Sequence, residues 1–413
     1  MVEKIKEASK SGTLQLFALI FVAIIFNTNT SSFVVIMSDI AEAFKPQGMT
    51  TTQLSMIQTL PTLVMIPSIL FSGWLLTRVS KKWIVVSGWL VYGLCGLALY
   101  FVQDYRVFLV VRGLMGVGLG LVNPQSRSMI AQVLSGDKVA STMGYLSMFG
   151  GFISFSISIG MGYIAAANWR NGLLLFPVFT MIAIALAIAF IPTLPPEPKK
   201  AQLIQEGKNE PYGKFVIAMW MAGFCIFCIA TVIQVRTAPF VRELGLGATT
   251  LTGWVSAAAS IGTFLGGWLF GFWHKKFRRW TFPIACAWAA VGYLTFCTAH
   301  SIPQLLIGAG MAANGSLGSL MPYLTSRVSL AAPPSKRSMA ITTLTILNFL
   351  GQFSATYYIM FVDNVVGKNA AMTLGSVSVS FAVLAIAGFV FVAKTQKENE
   401  EFMQKLQAAK SAA

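Results

Sequence analysis

The residues that could do chemistry in this chain are few, and those lying deepest in its apolar runs carry one sign. Arg112 stands in Val110-Val111-Arg112-Gly113-Leu114-Met115. It is about seven residues, or roughly 10 Å, from the nearer end of its run. A guanidinium in hydrocarbon is costly, so it faces a wet cavity, a counter-charge or a substrate. Arg127, Arg236 and Arg327 lie nearer the ends of their runs. No acid stands in the middle of any run, and Asp39 and Asp363 sit at run ends. A deep cation without a deep anion points to a negatively charged solute, which a guanidinium grips through paired hydrogen bonds. The alternative is that Arg112 holds backbone carbonyls or polar side chains of neighbouring helices, or pairs with Asp39 at the rim. Exchange of cationic drugs for protons usually relies on an embedded carboxylate that takes either ion, and none stands in the mid-runs.

Uncharged polar groups form a second set. Asn27, Thr28, Asn29, Thr30, Ser31 and Ser32 interrupt the first apolar run, and Asn123 follows a glycine-rich stretch in the fourth. Asn314, Ser316 and Ser319 occupy the tenth; Asn348, Gln352, Thr356 and Tyr357 recur in the eleventh at helical spacing, near one face. These groups either line a solute cavity or hydrogen-bond between helices, a contact worth about 0.6 kcal/mol in membranes. The solute-contact candidates are Arg112, Asn27, Asn29, Asn123, Asn314, Asn348, Gln352 and Tyr357. Phe224, Phe227, Trp254, Trp268 and Phe353 either stack on a planar solute or pack and anchor at the interface. The five cysteines lie in apolar runs and read as small hydrophobes, Cys225-x-x-Cys228 included. His274 and His300 are far apart in sequence. No metal set, cofactor motif or nucleophile–base pair is visible, so an enzyme is not expected.

The elements that must position these residues are membrane helices. Apolar residues make up 55% of the 413 and charged residues 11%, with mean hydropathy +0.69. A soluble chain carries about 25% charged residues. The net charge of +16 sits in short clusters between apolar runs, which is the pattern of membrane loops rather than of nucleic-acid binding. A span needs about 20 mostly apolar residues. Twelve runs qualify: 14–37, 52–76, 83–102, 106–131, 140–166, 171–192, 215–240, 251–273, 281–299, 303–330, 338–362 and 371–393. Lys and Arg concentrate on the side of the chain termini, among them Arg78, Lys81, Lys82, Lys275, Lys276, Arg278 and Arg279. That bias places both termini in the cytoplasm. No cleavable signal is expected at the start of the chain.

The polar stretch Thr193–Lys214, rich in Pro, Lys and Glu, reads as a cytoplasmic linker. It separates a first half (14–192) from a second (215–393), with residues 1–13 and 394–413 as cytoplasmic ends. Gly73-Trp74-Leu75 and Lys81-Lys82 recur at the same offset as Gly267-Trp268-Leu269 and Lys275-Lys276. Pro124 and Ser126-Arg127 are echoed by Pro322 and Ser326-Arg327. The expectation is an all-α membrane protein, twelve helices in two pseudo-symmetric halves of six.

With these residues the chain resembles the major facilitator superfamily along essentially its whole length. Gly73 to Lys82 (GWLLTRVSKK) is similar to that family's signature between helices two and three, with Thr77 in place of the usual acid. Leu109 to Gly118 resembles its fourth-helix signature containing R-x-x-x-G. Gly150-Gly151 through Gly160 and Gly162 is similar to a drug–proton antiporter pattern, with Ile157-Ser158 where a Gly-Pro pair is expected. The nearest resemblance is to the bacterial drug-transporter-like branch. It implies a secondary transporter working by alternating access, with a role for Arg112 in substrate or proton coupling. The conformational residues expected are Gly73, Arg78, Lys81, Lys82, Lys275 and Lys276 at the basic loops, Gly116 and Gly120 at helix contacts, and Asp39. The substrate is expected to be a small organic anion. The alternatives are efflux of amphipathic drugs or metabolites and, in another class, a membrane sensor that binds without transport. Expected partners are a small solute, protons or another coupling ion, and the lipid bilayer. The protein is expected to be a monomer in a bacterial inner membrane.

Overall fold

The computed structural model describes residues 18, 21–23, 28–133, 137–191, 193, 212–245, 249–277, 280–332, 337–367 and 369–411. Its described elements are helical. In the first half these are α1 (Thr28–Phe44), α2 (Thr51–Leu75), α3 (Lys81–Phe101), α4 (Tyr105–Val133), α5 (Asp137–Ala167) and α6 (Leu175–Phe190). A five-residue helix, Trp169–Leu173, leads into α6. In the second half α7 runs Lys214–Ala230 and, past Thr231, Val232–Glu243. There follow α8 (Thr249–Phe277), α9 (Thr281–Cys297), α10, α11 (Arg337–Val366) and α12 (Ala370–Ser411). α10 is Ile302–Ala313 and Leu320–Ala331 joined by a π turn, Asn314–Ser319. Eight of the described helices are long and apolar enough to cross a membrane on length and composition alone.

One boundary differs from the sequence reading. The first helix does not stop at residue 37 but continues to Phe44, because Ile40 and Phe44, one turn apart, are both buried and keep the apolar stripe packed. The last span, read as 371–393, matches the apolar stretch Ala370–Ala393, and the helix itself runs on to Ser411. The linker lies largely outside the described residues.

Each half is closed internally by its own core. Phe33, Trp89, Tyr92, Phe108 and Phe176 are fully buried in the first, and Tyr293, Phe296, Leu305, Leu324 and Phe381 in the second. Large apolar side chains on the outside, such as Phe101, Met181, Trp268 and Ile386, remain exposed, as lipid-facing positions must be. The α2 start is fixed by a capping box. Gln53 N–H donates to Thr50 Oγ1 at 3.2 Å, and Thr50 N–H donates to Gln53 Oε1 at 2.9 Å.

Below, the basic end is the one carrying the α2–α3 and α8–α9 loops, and the far end is the opposite one.

Candidate functional site

Arg112 sits on α4 facing α2 and α1, wholly inside the first half. Its Nε donates to the Ile57 carbonyl of α2 at 2.9 Å, its Nη1 lies 3.6 Å from Met115 Sδ, and its guanidinium covers the Phe33 ring of α1 at 3.7 Å. The side chain is 0% exposed. The carbonyl is available because Pro61, one turn on, has no N–H to bond it. Arg112 therefore binds three helices of one half together in this state. It does not pair with Asp39, which is bound elsewhere.

The two halves meet along α2–α11 and α5–α8. On the first seam Thr59 and Thr356 share a hydrogen bond of 2.6 Å, and Gln58 Nε2 approaches Gln234 Oε1 of α7 at 3.5 Å. Further along α11 toward the basic end come Gln352, half-buried, and Asn348, 2% exposed. Asn348 Nδ2 lies 3.6 Å from Met321 Sδ of α10. Its Oδ1 is buried without a hydrogen-bond partner among the described residues. That oxygen lies where a side chain on Gly223 of α7 would stand, at 2.6 Å. Asn348 thus fills a gap among α7, α10 and α11. Asn314 opens the π turn of α10, half-buried. Such a widened turn recurs at functional sites.

Tyr357 does not join this face. Nine residues at 3.6 per turn carry it half a turn away from Asn348. It is 47% exposed, edge-on to Phe353, whereas Thr356 is buried. Asn123 is half-buried on α4 toward the basic end, its carbonyl accepting from Ser126 Oγ at 3.2 Å, apart from the seam residues. Asn27 and the Asn29 side chain lie outside the described residues.

At the far end an ionic network ties the halves. Arg242 of α7 donates to Glu42 Oε2 at 2.6 Å and to Asp39 Oδ1 at 3.1 Å, both on α1. Thr249, opening α8, donates to Asp39 Oδ2 at 2.8 Å. Nearby, Thr250 Oγ1 contacts the Gly162 carbonyl at 3.4 Å. These hydrogen bonds between the halves lie on the far side of the midplane. A second ion pair, Arg236 with Asp363, lies within the second half, both side chains under 10% exposed. Thr373 of α12 also donates to Asp363, at 3.1 Å.

At the basic end, Arg78 and Lys82 make their contacts inside one half. Arg78 lies over Trp74 at 4.2 Å, and Lys82 Nζ donates to the Ile188 carbonyl of α6 at 2.9 Å, both within the first half. Lys81 is buried, Lys276 is exposed above Phe277, and the Lys275 side chain is outside the described residues. A Cβ on Gly73 would meet nothing within 4 Å, so no helix approaches this glycine on its side-chain face. Gly116 packs on Pro61 and Gly120 on Ser68 and Met65. These two hold α4 against α2 inside one half and stand at no moving seam. The glycines that let the halves touch are others. A Cβ on Gly253 of α8 would fall 2.6 Å from the Ser158 carbonyl of α5, and one on Gly151 would fall 2.9 Å from Phe264 Cβ.

Sequence reasoning missed Gln58, Gln234, Thr59, Glu42, Arg242 and Thr249. Gln58 and Gln234 carried a signal, each an amide inside an apolar run at similar distance from the far end. Arg242 looked like an ordinary loop cation.

The profile of the Major Facilitator Superfamily matches residues 17–252 and 216–412. Among solved structures, a D-xylose–proton symporter superposes with TM-score 0.74 at 14% identity, covering 90% of this chain and 97% of that one. A POT family transporter in complex with 5-aminolevulinic acid gives 0.73 at 12%, covering 92% and 96%. A bacterial homolog of the human lysosomal transporter Spinster, in an inward-facing and occupied conformation, gives 0.68 at 16%, covering 92% and 96%. At these identities the likeness is one of fold. In sequence, the chain is 25% identical over 159 residues to myo-inositol transporter 1A of Cryptococcus neoformans, 37% of this chain and 28% of that one. It is 21% identical over 184 residues to a probable sugar efflux transporter of Mannheimia succiniciproducens, 44% of this chain and 45% of that one. The matches span less than half the length of these two relatives.

Proposed function

The chain belongs to the Major Facilitator Superfamily, a family of multi-pass membrane transporters, and from that premise we propose that it carries a small, uncharged, hydrogen-bonding solute of the polyol or sugar class. The observation that carries this reading is the arrangement of amides at the junction of the halves. Gln58 and Gln234 face each other across it, Gln352 and, within the second half, Asn348 follow along α11, and Asn314 opens the π turn of α10. Side-chain amides both donate and accept, which suits hydroxyl groups. Arg112, fully buried against Phe33 and the Ile57 carbonyl, acts as a brace of the first half. The names of the two sequence relatives, for inositol and for sugar, agree with this class.

Transport proceeds by alternating access of the two halves around that junction. The loop charges put the basic end and both termini in the cytoplasm, in a cell membrane. In the state described, Asp39, Glu42, Arg242 and Thr249 then close the outer side. Linker 193–214 joins the halves on the cytoplasmic side.

The test is saturable uptake into proteoliposomes, measured for polyols, sugars, carboxylates and amphipathic cations, with and without an imposed pH gradient. Uptake of a polyol or sugar, with KM raised about tenfold or more by Gln58→Ala or Gln352→Ala, supports the proposal. Tenfold is what one hydrogen bond of about 1.4 kcal/mol supplies. A second reading, a small organic anion, is favoured by the sign of the deep charges, since Arg112 has no mid-span acid to balance it. Saturable carboxylate uptake that disappears in folded Arg112→Gln establishes that reading and overturns the first. Transport of amphipathic cations alone overturns both.

A further inference from the structure

Between Glu243 and Asp363 the sequence contains no Asp or Glu, yet it contains Lys275, Lys276, Arg278, Arg279, Arg327, Lys336 and Arg337. Lys275, Lys276, Arg327 and Arg337 lie toward the basic end, on α8, α10 and α11, and the other three fall outside the described residues. Of the helices that carry them, α8 and α10 hold no carboxylate, and the one on α11, Asp363, lies at the far end, paired with Arg236. Lys275, Lys276 and Arg337 stand at helix ends. Arg327 is different, for it is half-buried, one turn before the end of α10.

Arg327 stands in a small built recess. Its guanidinium lies 5.2 Å from the centre of the Tyr323 ring, and His274 of α8 meets the same ring edge-on at 5.9 Å. His274 is held in place from two sides, by Thr281 Oγ1 of α9 at 3.2 Å from Nδ1 and by stacking on Phe270 at 5.3 Å. Phe282 of α9 packs on Tyr323 at 5.7 Å. Arg327 Nε is buried without a hydrogen-bond partner among the described residues. A buried N–H of a charged group left unbonded is costly, and it marks a place where an acceptor belongs. Around the recess the surface has the character of a membrane interface. Trp268, Phe272 and Trp273 of α8 are exposed, and Lys276 stands free above Phe277.

We propose that this recess, lined by Arg327, His274 and Tyr323 among α8, α9 and α10, binds the phosphate of an anionic lipid headgroup. A phosphate diester supplies oxygen acceptors for the guanidinium, including its buried Nε. It also supplies the negative charge that this part of the chain lacks. The acyl chains of the same lipid lie along the exposed aromatics of α8. Basic recesses between spanning helices, on the side rich in Lys and Arg, are suited to such headgroups. This inference stands apart from the substrate proposed above, because it uses none of the amides at the junction.

The experiment is native mass spectrometry of the full chain after detergent extraction from vesicles of phosphatidylcholine with one-quarter phosphatidylglycerol. The wild type retains phosphatidylglycerol through detergent exchange. Arg327→Gln retains at least fivefold less, and Arg106→Gln, at the far end, retains as much as wild type. Where Arg327→Gln does not fold, Arg327→Lys serves in its place, since it keeps the charge and loses the planar fork, and it too retains several-fold less. Equal retention by the folded Arg327 variant and wild type overturns the proposal. So does retention of phosphatidylcholine equal to that of phosphatidylglycerol. If 10 mM inorganic phosphate displaces the lipid fully and is itself retained, the site takes free phosphate, and the assignment to lipid is overturned. If wild type retains no anionic lipid until Glu398, Glu400 and Glu401 are changed to Gln, the chain's own acidic tail occupies the recess, and the proposal is likewise overturned.

Discussion

Replacing Arg242 by Gln should open the far end. In the state described, this one guanidinium bridges Glu42 at 2.6 Å and Asp39 at 3.1 Å. The two bonds are unequal. The Glu42 side chain is 70% exposed, so its pair lies in water and contributes near the bottom of the usual 0.2–1 kcal/mol. The Asp39 side chain is 17% exposed and also accepts from Thr249, so its pair lies near the top of that range. Loss of both contacts costs the closed state about 1–1.5 kcal/mol, which multiplies the far-end-open population roughly five- to tenfold. A reporter at Gln58→Cys, in a chain whose five native cysteines are replaced, reads this population. Gln58 is 5% exposed and lies below the network, so an impermeant maleimide added at the far side reaches it only when that end opens. Labelling should quicken five- to tenfold in Arg242→Gln and less than twofold in Glu42→Gln. Adding Asp39→Asn to Arg242→Gln should return part of the effect, because a neutral amide is buried at less cost than an unpaired carboxylate. Labelling of Arg242→Gln within twofold of its parent would refute the assignment of this network as the gate.

Four further outcomes follow from the same geometry. Gly116→Val overpacks α4 against Pro61 inside one half and should lower the melting temperature of the purified protein, at about 1–3 kcal/mol. Gly253→Val, at the α5–α8 seam, should leave melting nearly unchanged while abolishing transport, since it wedges the halves apart. In the Arg236–Asp363 pair, Arg236→Met or Asp363→Leu alone strands a buried charge, costing about 3–5 kcal/mol, and the double change should recover most of the loss in thermal melts. Arg112→Gln removes the link among α1, α2 and α4, so its first effect should be a lowered melting temperature, with KM for a polyol unchanged in the fraction that folds.

The sequence alone determined the all-helical membrane fold, its grouping into two related halves and the family, because each rests on local quantities: length of apolar run, loop charge and short repeated motifs. It also named Asn348, Gln352 and Asn314, since an amide in hydrocarbon is conspicuous in one dimension. It could not assign partners. Arg112 was visible as a buried charge, but whether it faced a solute or a carbonyl depended on Ile57 and Phe33, far away in the chain. Gly116 and Gly253 look alike in sequence, both small residues in apolar helices. Only the packing shows one fixed inside a half and the other at the boundary between halves. Tyr357 was grouped with Asn348 by spacing, and the helix turned it half a revolution away. The gate was least legible of all. Arg242 lies some two hundred residues from Asp39 and Glu42, and a charge at a helix end says nothing of what it meets until folding brings α1 and α7 together. Apolar periodicity and loop charge fix which segments cross the bilayer. Which polar groups converge between them is a property of helix packing, set by contacts distant in sequence.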